Sequence, residues 1–137
     1  MKIIITSYML FLGFLSFNLF QKKTKTQSIN AGAEIYQDFC VQCHQFDGKG
    51  VSEVNPPLKA SDYLLENIDV SIAGIKFGLK GKIEVNGEIY DGVMNNQGLN
   101  NEEIADVMNY ILNQWDNNST DFITSERVDE IEKFILE

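Results

Sequence analysis

Cys40-Val41-Gln42-Cys43-His44 is the stretch on which the reading of this chain turns. The chemistry sets the spacing. Two thiols three positions apart on one turn of helix can each add across a vinyl group of the same porphyrin. The adjacent His44 then lies under the iron and can give it an imidazole nitrogen. The pattern points to one covalently bound haem c, with Cys40 and Cys43 as attachment points and His44 as a metal ligand. Both cysteines and the single histidine of the chain fall within these five positions, so no other site can draw on them.

Three other uses compete for the same residues. A thioredoxin-like C-x-x-C would need a strand before it and a βαβ context, whereas the residues ahead of Cys40 have a helical pattern. A structural zinc site needs four ligands, and only three of the cysteine and histidine type exist here. A disulfide between Cys40 and Cys43 would close a very short loop and constrain little.

The chain is 137 residues long, which suits one domain with appendages. Its net charge of −9 leaves no clustered basic surface for a nucleic acid, so that partner class is set aside. Ile3 to Phe20 is almost unbroken apolar sequence after Met1-Lys2. Residues 1–20 read as a signal peptide or an N-terminal membrane anchor, a possible tether through residues 3–20. Either way the rest of the chain is expected to be exported, to the periplasm, free or anchored to the inner membrane. Lys22, Lys23 and Lys25 follow the apolar run, an awkward place for positive charge during export.

Residues 21–29 read as a flexible lead-in, and a helix is expected from about Asn30, with Ile35, Tyr36 and Phe39 on one face. Gly32 is either a tolerated weak spot in that helix or the place where another helix crosses close by. Gln45 to Asn55 is a polar loop closed by Pro56-Pro57-Leu58. A carbonyl in that stiff path could accept the second imidazole N–H of His44 and orient the ring, or the prolines could simply stiffen the loop. Short helices are expected at Asp62–Glu66 and Val70–Phe77, with Leu64, Leu65, Ile72 and Ile75 as core candidates.

Ile83 to Tyr90 alternates apolar and polar residues around Asn86-Gly87, the signature of a hairpin with a type I′ turn. It is read as a flap over one side of a pocket. Asp91 to Leu99 is expected to be a loop carrying Met94, whose thioether could reach the open side of the iron; a surface or core methionine is the plain alternative. Met108, by contrast, sits on an apolar helical stripe and is expected in the core. That stripe of Ile104, Val107, Met108, Ile111, Leu112 and Trp115 follows a capping box of Asn100 and Glu103. Residues 30–116 are read as the main domain, and 117–137 as a polar linker and a last helix from about Thr124 to Leu136.

From about Asn30 to Trp115 the chain resembles the class I mono-haem cytochromes c. The resemblance implies an all-α fold of short helices around a covalent haem, with a small β-hairpin near residues 83–90. It implies an N-terminal and a C-terminal helix crossing at a glycine, and Gly32, Tyr36, Val107 and Tyr110 occupy the matching spacings. Pro56 matches the proline whose carbonyl holds the axial histidine, and Leu58 matches a residue packed on the haem. Met94 matches the distal metal ligand. The run from Gly78 to Trp115, which contains Gly81-Lys82-Ile83-Glu84-Val85-Asn86-Gly87-Glu88-Ile89-Tyr90-Asp91-Gly92-Val93-Met94, is similar to the cytochrome subunits or domains of bacterial dehydrogenases and copper nitrite reductases. One position departs: that family usually places proline after the methionine, where this chain has Asn95.

An iron held by histidine on one side and a thioether on the other has no open position, so the expected role is outer-sphere electron transfer rather than catalysis. The expected partners are redox proteins: a dehydrogenase, a nitrite reductase or a terminal oxidase. Five lysines lie between Lys49 and Lys82, while Asp91 to Glu137 holds eleven acids and two bases; this is a polarised surface or plain solvation. The alternative function is a haem enzyme or gas-binding sensor in which Met94 leaves the iron. A thiol module without haem is a third.

Overall fold

Thr24 starts the first helix. Its hydroxyl accepts from the backbone of Gln27, and the Gln27 side chain accepts from the backbone of Thr24, which satisfies two otherwise free N–H groups. The structure, a computed structural model, describes residues 22–132. The apolar run expected to direct export lies outside the described residues.

Helix α1 runs over Lys25–Phe39, so it begins five residues before Asn30 and the expected flexible lead-in is corrected. The physical reason is anchoring as well as capping. Lys23 Nζ stands 2.7 Å from Asp106 Oδ2 and 2.7 Å from Glu102 Oε1. Lys25 donates to the Ser119 carbonyl at 2.8 Å, and Lys22 pairs with Glu126 at 3.2 Å.

Beyond Cys40 come α2, Val41–His44, then an irregular loop, then α3, Asp62–Glu66, capped by the Ser61 hydroxyl. Helix α4, Ile68–Phe77, starts two residues earlier than expected. Leu65, expected in the core, is 41% exposed, whereas Leu64, Ile72 and Ile75 are buried as expected. Strands β1, Leu79–Val85, and β2, Glu88–Met94, pair antiparallel with Leu79 opposite Met94 and Val85 opposite Glu88. The turn residues Asn86 and Gly87 have φ of 53° and 80°, as a type I′ turn requires. The hairpin is therefore longer than residues 83–90. Its turn is latched to α3, because Asn86 N donates to Asp62 Oδ1 at 2.7 Å and Asp62 N donates to Asn86 Oδ1 at 3.1 Å.

Helix α5, Asn101–Ile111, carries the expected capping box at Asn100 and Glu103. Helix α6, Ser125–Glu130, is shorter than the expected helix; residues 131–132 are not helical, and 133–137 lie outside the described residues.

The core forms where α1 crosses α5. A methyl group at Gly32 would sit 2.0 Å from the Asp106 carbonyl oxygen and 2.8 Å from Tyr110 Cβ, so only hydrogen allows this approach. Tyr36, Val107, Met108, Ile111 and Leu112 are buried around it. Tyr36 stacks at 5.3 Å from Tyr110 and 5.0 Å from Trp115, centroid to centroid. The polar groups in this core are all paired. Ser28 donates to Asp106 at 2.6 Å, and Asn109 bonds Ser28 and both backbone groups of Ile123. The described chain is thus mainly helical, with one small two-stranded hairpin, as the all-α expectation had it.

Candidate haem site

Cys40 ends α1, and the backbone turns there into the single turn of α2, which carries Cys43 and His44. The loop that follows doubles back tightly. Gly50 donates to the His44 carbonyl at 3.0 Å, with φ of +65°, and a Cβ on it would fall 2.2 Å from the Asn55 carbonyl oxygen. This approach places Pro56 beside His44, with Nδ1 3.0 Å from the Pro56 carbonyl. A carbonyl can only accept, so Nδ1 carries the hydrogen and the neutral ring presents the lone pair of Nε2. Burial lowers the pKa of His44, and the bond to Pro56 opposes that only in part.

His44 and Pro56 face two adjoining cavities, each enclosing about 80 Å³ and open to solvent at its mouth. Leu79, Ile83 and Met94 border both cavities as well. Cys43 opens on the first, Cys40 on the second, and Leu58 and Met108 line the second. No Asp, Glu, Lys or Arg lines either cavity among the described residues.

The structure thus brings together all six residues singled out from the sequence: Cys40, Cys43, His44, Pro56, Leu58 and Met94. The placement of Met94 differs from expectation. It ends β2, paired to Leu79, rather than hanging in a loop. Met108 is fully buried as expected, yet it also forms cavity wall. Tyr63 and Tyr90 were not foreseen as lining residues; their spacing is that of ordinary strand and helix positions.

The alternative uses of the motif find little support. Among the described residues no group of three or more His, Cys, Asp or Glu side chains converges as a metal cage would need. Burial, with Cys43 beside it, pushes the Cys40 thiol up to about 11, the reverse of what a reactive thiolate requires. Two free thiols, an oriented imidazole, a thioether on the same cavities and a nearly uncharged lining fit haem c.

The helical fold and this cradle define the class of protein: a holder of covalently attached haem c. The chain belongs to the cytochrome c family, whose model, described as cytochrome c, matches residues 29–115. It is similar to cytochrome c-552 of Thermus thermophilus, 38% identical over 91 residues, 61% of this chain and 67% of that one. It is also similar to the cytochrome c subunit of the quinone alcohol dehydrogenase of Gluconobacter oxydans (strain 621H), 29% identical over 106 residues. That match covers 74% of this chain but 22% of the subunit. Cytochromes c bind haem c and its iron covalently, and serve as electron carriers or dehydrogenase subunits rather than as catalysts.

Proposed function

We propose that this chain carries single electrons in an exported respiratory chain, with haem c attached at Cys40 and Cys43 and the iron held by His44 and Met94. When bound, the haem supplies reversible one-electron iron chemistry. The rest is what the chain's own residues do. Pro56 fixes the imidazole plane and its tautomer, and raises the donor strength of Nε2. Met94 supplies a soft sulfur that favours the reduced metal, and the uncharged lining disfavours an added positive charge; both raise the reduction potential. Held by both His44 and Met94, the iron would offer substrate no place to bind, and the group would exchange single electrons without bond making.

The observation that carries this reading is that His44, fixed through Pro56, and Met94 border the same two cavities. A redox partner such as a dehydrogenase is supported by the similarity to a quinone alcohol dehydrogenase subunit. A nitrite reductase rests on the resemblance of residues 78–115, and a terminal oxidase on the respiratory-chain reading alone. Residues 1–20 are proposed as the export signal or tether that brings the chain to the periplasm. Among the described residues no helix is long and apolar enough to cross a membrane.

The test is to express the full chain in a host that matures c-type haem. Pyridine haemochrome analysis should give one haem per chain, and the ferric protein should show the thioether-to-Fe(III) charge-transfer band. Colourless protein, or a ferric spectrum without that band, would overturn the proposal.

A further inference from the structure

The hydrogen-bond ladder of the hairpin ends at the Leu79–Met94 pair, and the chain beyond it is irregular up to Asn100. A thioether on three rotatable bonds aims only as well as its backbone is held. Asn96 provides the next point of attachment. Its Nδ2 donates to the Lys76 carbonyl at 2.7 Å, and its Oδ1 accepts from Gly98 N at 2.6 Å.

The Lys76 carbonyl belongs to the last turn of α4, where carbonyls have no partner within the helix. Asn96 therefore caps that helix from a distance of twenty residues. The turn that follows α4 packs against the same segment. A Cβ on Gly78 would lie 2.9 Å from the Met94 carbonyl oxygen and 3.2 Å from Asn96 N. Lys76 is itself fixed, since its ammonium donates to the carbonyls of Val128, Asp129 and Ile131 at 2.7, 3.2 and 3.2 Å. The Met94 backbone is thus held by β1 on one side, by Gly78 beneath and by the Asn96–Lys76 bond ahead.

We propose that Asn96 is a positioning residue that aims the Met94 thioether into the cavity by tying residues 94–96 to the end of α4. The inference rests on the reading of Met94 as the second iron ligand. Asn96 is exposed, so its removal leaves the fold standing. Asn96→Asp keeps the acceptor for Gly98 and removes the donor to Lys76; Asn96→Ala removes both. Asn95→Ala is the control, because no hydrogen bond from the Asn95 side chain is formed among the described residues.

The experiment measures the dissociation constant of imidazole for the matured ferric protein, together with the thioether-to-Fe(III) band. Loss of the neutral hydrogen bond to Lys76 predicts imidazole binding about fivefold tighter in Asn96→Asp, and at least as much in Asn96→Ala, which also loses the bond to Gly98. Thermal melting of the reduced protein should stay near that of the parent, and Asn95→Ala should bind imidazole as the parent does. Parent-like affinity in both Asn96 variants, or equal tightening in Asn95→Ala, overturns the role of Asn96. Met94→Ala separates the two readings. If the band survives there, the ligand assignment falls and this inference with it; if the band is lost there while the Asn96 variants bind as the parent, only the role of Asn96 falls.

Discussion

Around Gly32 the protein fills its own space, whereas around His44 it leaves space open. At the crossing of α1 and α5, Tyr36 is 1% exposed and Val107 and Met108 are fully buried, each polar group having a partner. Across the cradle, Val54 and Val93 are 60% and 63% exposed, and Cys43 is open to solvent. Val54 of the loop and Val93 of the hairpin border a cavity. One region is therefore a core made of side chains, and the other is half of a core that a bound haem would complete.

The largest test of that contrast is to withhold the haem. If about 400 Å² of apolar macrocycle is buried, the haem contributes on the order of 10 kcal/mol, comparable with the stability of a whole domain. A chain with Cys40→Ser and Cys43→Ser, produced without haem, is expected to lack a cooperative thermal transition. What amide protection remains should sit in α1 and α5. A sharp melt with protected hairpin amides would show that the cradle stands unaided.

Next in size is Gly32→Ala. The new methyl would overlap the Asp106 carbonyl, so the helices must part or tilt, at a cost of about 3 kcal/mol. Chemical denaturation of the haem-loaded protein reads this directly. The haem band positions should be nearly unchanged, because the damage lies in the self-filled region.

The smallest effect is expected at alkaline pH. Hydrogen bonds to Asp106 and Glu102 raise Lys23 above its ordinary 10.5, and burial raises the Tyr36 phenol above its ordinary 10.0. Both groups hold their protons longer when folded. Their stabilisation is fully present below about pH 10 and is lost as pH rises through the raised folded values. Lys23→Met should therefore lower the melting temperature at pH 7 and flatten its decline above pH 10, as scans across that range would show.

The two regions also differed in how far the sequence disclosed them. Cys40, Cys43 and His44 announce themselves because their chemistry demands fixed spacing. Gly32 and the stripe from Ile104 to Leu112 follow from helical periodicity. The hairpin was legible at Asn86-Gly87, but its reach to Met94 was not. Asp91, Gly92 and Val93 are all exposed, so the paired backbone carries no alternating pattern there.

Contacts between distant charges left still less trace. Lys23 meets Asp106 across 83 positions, and nothing local marks a lysine after an apolar run as an anchor. Asn117, expected in a polar linker, is 5% exposed. It bonds the Leu58 and Ile111 carbonyls and Ala60 N, which braces the loop behind Pro56. A buried asparagine and a solvated one look alike in sequence; only the partners it finds separate them.

The length of α1 has a mechanical result. Fifteen residues at about 1.5 Å each make a strut of about 22 Å, pinned at its start by Lys22, Lys23 and Lys25 and ending at the first thiol. The start of the described chain is therefore kept at a stand-off from Cys40. Fixed to a lipid film or an electrode by that end, the protein would turn its redox face outward, towards whatever diffuses past.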